Sequence, residues 1–294
     1  MTAAFEPLPQ RRIRSRGVIA ATHVAAALGK YASLIAFSLI LLLPLVVIVF
    51  ASLKTAREYL TTSALTPPKD WFNFANFGTA WVGGDMLQGF ANTAFILSVS
   101  IVITILLGTM AAYALDRFEF RFKKAVFALF LIATLVPGVT TQVATYQVIN
   151  GLGLVDTYWA AILLFSGTDI VSVYIFVQFM QSIPKSLDEA AMLEGVSRFG
   201  IYWRIILPLL QPAIATVVII KGIAIYHEFY IPLLYLPSPE HNVISTALFK
   251  FIGPYSASQQ VIAAGVLIVI IPTLVIFVLL QRFIYNGITR GATK

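Results

Sequence analysis

The side chains able to do chemistry in this chain are few, and they lie in two settings. One is a polar stretch between long apolar runs, where Glu189-Ala190-Ala191, Gly195, Ile205, Leu207 and Pro208 spell E-A-A-x3-G-x9-I-x-L-P. The other is the interior of those apolar runs, where Asp169 and Lys221 stand among hydrocarbon side chains. The first combination of carboxylate, small residues and glycine makes a shaped contact for a soluble partner. The second places opposite charges where an unpaired ion is expensive.

Neither setting reads as a reaction centre. The chain has no cysteine, which excludes disulfides, thiolate chemistry and cysteine metal sites, and its three histidines, His23, His227 and His241, are far apart in sequence. No metal or redox cofactor is expected in this chain. An intramembrane enzyme lacks support, because the apolar runs hold no paired acidic residues, Ser-Lys arrangement or His-x4-His spacing. The sequence also shows no Gly-x4-Gly-Lys-Ser/Thr phosphate-binding loop of an ATPase: Gly29-Lys30 is followed by Tyr31 and has Val24 where such a loop needs its first glycine.

The polar stretch carries its own folding instructions. Ser186 followed by Glu189 has the spacing of a capping box, and Pro184 discourages continuation of any preceding helix, so a short helix is predicted to start near Leu187. Asp188 and Glu189 fall in its first turn, where the helix dipole favours carboxylates. Gly195 suits the left-handed residue that ends many helices. Ala190 and Ala191 keep one face flat, and Met192 and Tyr202 offer contact area. The resulting shape is a docking peg, with an ordinary interfacial helix as the alternative.

The elements that must position this peg are set by hydropathy. Hydrophobic residues make up 59% of the chain, charged residues 11%, and mean hydropathy is +0.87, which is too apolar for a soluble domain. The chain reads as an all-α polytopic membrane protein. Six stretches, near 31–52, 88–115, 124–148, 158–181, 205–227 and 261–284, have the roughly 20 apolar residues that a bilayer span requires. Residues 1–30 read as a cytoplasmic tail with an interfacial helix, 184–208 as the loop between the fourth and fifth spans, and 285–294 as a second cytoplasmic tail.

Charge sets the orientation. Fifteen lysines and arginines fall in the two tails and the loops on their side, against only Lys54, Arg57, Lys69 and Lys250 opposite, with Lys221 left inside a span. The positive-inside rule then puts both termini and the Glu189 loop in the cytoplasm. The net charge of +7 sits at the edges of spans, where anchoring explains it better than nucleic-acid binding. The basic, then apolar start of the chain has some likeness to a signal peptide, but it runs through Lys30 into a full span. Prolines 44, 137, 208 and 272 lie in or at the ends of spans, where they serve either kinking or packing.

Counted from the outer ends of their spans, Asp169 lies about 16 Å deep and Lys221 about 9 Å. The expectation is that they pair and hold the fourth and fifth spans in register. The alternative has Lys221 and His227 lining a pathway and favouring an acidic or phosphorylated sugar. Gln142, Tyr146, Gln147 and Gln178 either hydrogen-bond sugar hydroxyls or join helix to helix.

At every fixed position the loop motif resembles the cytoplasmic signature of permease subunits of ATP-binding-cassette importers. Seven fixed residues at about 5 to 10 per cent each match by chance roughly 10⁻⁸ times per start position. The similarity extends through Asn92-Thr93, Ala111-Ala112-Tyr113-Ala114-Leu115, Arg117-Phe118, Gly151-Leu152-Gly153-Leu154 and Ile183-Pro184, and is nearest to the maltose-type sugar permeases of binding-protein-dependent systems. Where that family often has Trp-Asn-Glu/Asp-Phe, this chain has Tyr226-His227-Glu228-Phe229, so any pathway role for Tyr226, His227 and Glu228 comes from resemblance alone.

The resemblance implies a permease subunit in a bacterial or archaeal inner membrane that forms half of a sugar pathway. Implied with it are a second permease subunit, two ATPase subunits holding ATP and Mg, and an extracytoplasmic sugar-binding protein. Glu189, Ala190, Ala191, Gly195, Ile205, Leu207 and Pro208 would couple to the ATPase. By the same resemblance, the external loop near 235–260 probes the binding protein's sugar cleft and residues 289–294 touch the ATPase, a plain surface loop and a free end being the alternatives. The competing reading of the whole chain is a membrane scaffold or an ion-driven secondary transporter.

Overall fold

The computed structural model describes residues 16–167, 169–252 and 258–292, and the regular structure among them is helical. In chain order the helices are α1 (Arg16–Leu53), α2 (Ala56–Thr61), α3 (Ala75–Gly83), α4 (Met86–Arg117), α5 (Lys123–Leu135), α6 (Gln142–Gly151), α7 (Tyr158–Ser166) and α8 (Ile170–Met180). They continue with α9 (Ser186–Leu193), α10 (Arg198–Ile201), a π-helical turn at Tyr202–Ile206, α11 (Leu207–Leu209), α12 (Gln211–His227), α13 (Tyr230–Tyr235) and α14 (Gln259–Ala292).

Among the described residues, three stretches are long and apolar enough to cross a bilayer by themselves: Ala27–Leu53, Met86–Arg117 and Gln259–Val278. The other apolar runs are not continuous helices, which corrects the expectation from hydropathy. The 124–148 run is interrupted after Leu135. Pro137 disfavours helical backbone at the residue before it, and Val136 is extended at φ −82°, ψ 113°. The 158–181 run breaks at Gly167, with a 44° bend between α7 and α8. The 205–227 run bends by 69° at Leu210, between Pro208 and Pro212, where a missing proline N–H interrupts the ladder. Counting each bent pair as one span gives up to 5 crossing segments.

At the chain start, the helix runs unbroken from Arg16 into the first span, so residues 16–30 continue α1. Residues 1–15 of the expected tail lie outside the described residues. At the other end α14 carries the sixth span on to Ala292, and Thr293 and Lys294 lie outside the described residues.

α4 is the organising rod, packing against α3, α7, α8 and α12, while α14 packs against α1, α3 and α12. Three apolar clusters follow α4 along its length. Met86 joins Ala80, Ile244, Val261 and Ala264 at its start. Ile96 and Ile101 meet Ala161, Ile162, Phe165 and Ile225 farther along. At its last turns Ala112, Tyr113 and Leu115 meet Phe176, Met180, Ala191, Ile201, Tyr202 and Ile206. Gly108 is what allows α8 so close: a Cβ there would sit 3.0 Å from the Phe176 ring.

Candidate functional site

The E-A-A segment forms α9, a separate helix held at the end of α4 and followed by α10 and the π-turn. Its start differs from the expected capping box. Lys185 occupies the cap position without a side-chain cap hydrogen bond, and Ser186 is already helical. The Pro184 and Lys185 carbonyls accept the N–H groups of Leu187, Asp188 and Glu189, so the first turn closes one residue early and the serine has no cap to make.

The far end follows the sequence. Gly195 has φ +79°, its N–H donates to Met192 O at 3.0 Å, and the Val196 N–H reaches back to Ala191 O at 3.0 Å. These are the two bonds of a Schellman stop, and Val196 packs on the cluster that holds Ala191.

Within α9 the faces are distinct. Asp188 and Ala191 are buried, while Glu189, Ala190 and Met192 are exposed. Beyond it Ile205 and Leu207 are half-buried and Pro208 is exposed. Tyr202, expected as contact area, is instead buried, with its hydroxyl 2.8 Å from that of Thr109. The largest share of the exposed apolar area comes from Leu193, 91% exposed, Phe199 and Trp203, the last two stacked with ring centroids 6.4 Å apart.

A polar connection to α4 underlies this surface. Arg117, the last residue of α4, donates from Nη2 to Ile183 O at 2.9 Å and from Nη1 to Asp116 Oδ2 at 2.6 Å. Its Nε lies 2.9 Å from Asp188 Oδ2, and the Arg117 side chain is only 6% exposed. The Nε–H points off the hydrogen-bonding direction, so this contact is an ion pair by distance. Sequence reading gave Asp188 a helix-dipole role and did not join it to Arg117. The available signal was the four-residue spacing of Thr109, Tyr113 and Arg117, which aligns them on one face of a helix.

In the interior, Lys221 Nζ of α12 lies 3.3 Å from Asp169 Oδ2, just ahead of α8, and Asp169 also accepts the Ser172 hydroxyl. The candidate pathway residues separate into two groups. Gln142 Nε2 donates to the Tyr235 hydroxyl at 2.9 Å, and the Tyr146 ring lies against Tyr235. Tyr226 donates to Val269 O at 2.8 Å, His227 meets the Tyr226 ring edge-on, and Glu228 Oε1 accepts the Tyr230 and Ile231 N–H groups at the start of α13.

At the opposite end of α4 from α9, the 235–246 segment is fastened by Asp156. This residue accepts the Ser238 hydroxyl and N–H, and lies 3.1 Å from His241 Nδ1. The Ser238 hydroxyl holds the Asp156 carboxyl below the ordinary aspartate range. Burial pushes it upward by less than that bond, and the Ser238 N–H and His241 each add a still smaller downward effect. Asn92 donates to Glu240 O and Asn242 O, tying the same loop to α4.

Bent apolar helices around a central rod, with a stopped helix held at the rod's end, are the architecture of a helical membrane protein. The chain belongs to the family of binding-protein-dependent transport system inner membrane components, whose model matches residues 104–290. Over 254 residues it is 31% identical to a melibiose/raffinose/stachyose import permease protein of Bacillus subtilis (strain 168), covering 86% of this chain and 91% of that protein. It is likewise 31% identical over 266 residues to a probable starch degradation products transport system permease protein of Thermoanaerobacterium thermosulfurigenes, covering 88% and 94%. The fold matches a chain of a bacterial ABC transporter involved in the import of the acidic polysaccharide alginate, with TM-score 0.75, 20% identity and coverage of 92% and 99%.

Proposed function

We propose that this chain forms one half of the membrane pathway of an ATP-driven importer for a sugar or oligosaccharide, and that α9 is where a partner ATPase takes hold. The observation that carries the reading is a short helix pinned to the bundle by Arg117 and stopped at Gly195, with Leu193, Phe199 and Trp203 left uncovered beside it. Family membership and the sugar-import names of the relatives support the substrate class. A further structural relative, with TM-score 0.53, is a bacterial alginate transporter in complex with an alginate pentasaccharide-bound periplasmic protein, which supports delivery by an extracytoplasmic binding protein.

In this reading the chain makes six crossings, with the broken 124–148, 158–181 and 205–227 runs each counted as one. Both termini and α9 face the cytoplasm of a bacterial or archaeal cell, an orientation supported by the lysine and arginine distribution. A second permease subunit completes the pathway, and two ATPase subunits bind ATP and Mg. Closure of the ATPase pair draws the two docked helices together, and the bundles rock between outward and inward access.

The test is reconstitution in liposomes of the complex from its native host, with ATP inside and the native binding protein outside. ATP-dependent uptake of that binding protein's sugar, lost on Gly195→Val, supports the reading. Uptake by the isolated chain on an ion gradient overturns it.

A further inference from the structure

Resting on that reading, we propose that a stripe of three side chains on α4, at residues 109, 113 and 117, is the stiff link that carries movement of α9 into the membrane bundle, with Arg117 as its principal positioning residue. The three are four residues apart and so share one helix face. Each meets the inner segment at a different point. Thr109 pairs with the Tyr202 hydroxyl at 2.8 Å, the Tyr113 hydroxyl donates to Arg198 O at 3.3 Å, and Arg117 holds both Ile183 O and Asp188.

The covalent routes out of α9 are compliant by comparison. Toward α8 the chain passes through a turn containing Pro184, and toward α12 through the π-turn and the 69° bend. Such backbone breaks absorb rotation, which is how hinges work. The stripe resists it. The Arg117 guanidinium is hydrogen-bonded to Ile183 O on one side and charge-paired with Asp188 on the other, and because it is buried, salt screens the pair only weakly. α7, α8 and α12 all pack on α4, so a push delivered to α4 moves the bundle as one body.

A purely structural role would lower the amount of assembled complex without changing what each ATP accomplishes. This chain has no cysteine, so an introduced one is its single thiol and labelling is read on this subunit after the subunits are separated. Leu87, exposed at the far end of α4, is replaced (Leu87→Cys), and its maleimide reactivity is compared with and without ATP and vanadate in the whole reconstituted complex, alongside ATP hydrolysis per complex. Arg117→Ala is expected to keep hydrolysing ATP but to lose about tenfold of the ATP-dependent change in labelling rate, the size of an ordinary coupling energy. Arg117→Lys should recover part of it. If Arg117→Ala does not assemble, the near-isosteric pair Thr109→Val with Tyr113→Phe carries the test and should still diminish the change several-fold. An undiminished change in either assembled variant overturns the inference. Gly195→Val is the control: if it too leaves the labelling change intact, or if the wild type shows none, the functional reading itself fails, whereas a Gly195 effect without an Arg117 effect removes only the stripe.

Discussion

Lys221 and Asp169 face one another across the α8–α12 contact, Nζ to Oδ2 at 3.3 Å, with the lysine side chain 20% and the aspartate 12% exposed. Asp169 stands at the break in the fourth apolar run, where α8 begins, so the pair fastens the weak point of one membrane segment to the middle of another.

That placement predicts an asymmetry between single and double substitutions. Asp169→Asn or Lys221→Met alone strands the other charge, which costs about 3 kcal/mol for a mostly buried pair. The double variant removes both charges and should recover much of that. Thermal unfolding in detergent should therefore rank wild type and double variant above both singles. Equal losses in all three variants would mean the two charges do not depend on each other.

Gly108 supplies a second prediction, concerning packing alone. A methyl group there meets Phe176 Cε2 and Cδ2 at 3.0 and 3.1 Å, and Phe176 is fully buried, so Gly108→Ala is expected to destabilise by about 1–3 kcal/mol. Shortening the ring, with Phe176→Leu in the same chain, should relieve the clash. If the pair is no more stable than Gly108→Ala alone, the contact is not the cause.

Sequence and structure agree at Gly195, whose own backbone sets the outcome, and diverge where local patterns compete or where a residue acts through distant partners. Gly195 declared its left-handed turn because only the glycine offers that conformation cheaply. The apolar runs declared membrane residence, but hydropathy averages over Pro137, Gly167 and Pro208 and so concealed the breaks they mark. Ser186 and Glu189 had capping-box spacing, yet the Pro184 and Lys185 carbonyls closed the turn first. Tyr202 looked like contact area because nothing in its neighbourhood reveals Thr109, 93 residues earlier in the chain. Arg117 was legible as a basic span end, whereas its bond to Ile183 O exists only once α4 and α8 have packed.

The 235–246 segment should respond to acid in a direction fixed by Asp156. Its carboxyl titrates below the ordinary range when bonded to Ser238, so the fastening is fully present above about pH 4, the unfolded value, and is lost as pH falls through the lowered folded value. Hydrogen exchange should show the Ser238 amide protected from pH 7 to about pH 4 and released below it. Asp156→Asn tolerates the left-handed backbone at φ +62° and keeps one acceptor, but removes the titration, so the acid-dependent release should disappear. Release of that amide already between pH 7 and 5 in the wild type would assign the fastening to a different group.

The uncovered aromatic pair beside α9 gives the most direct measure of the docking proposal. Phe199 is 67% and Trp203 52% exposed, and neither belongs to the buried cluster around Tyr202, so substitution leaves the bundle intact. In a docked complex such rings act as anchors, and truncating one costs about 2 kcal/mol, or roughly 30-fold in affinity. Trp203→Ser is therefore expected to reduce co-purification of the partner ATPase while the thermal midpoint of the isolated chain stays at the wild-type value. Gly195→Ala acts differently, because open space surrounds the position and only the φ of +79° resists a side chain, at about 1–2 kcal/mol. It should weaken the ATPase contact by tilting α9 and should be milder as Gly195→Asn. If Trp203→Ser retains the ATPase fully while Gly195→Ala loses it, the orientation of α9 matters and the aromatic surface does not.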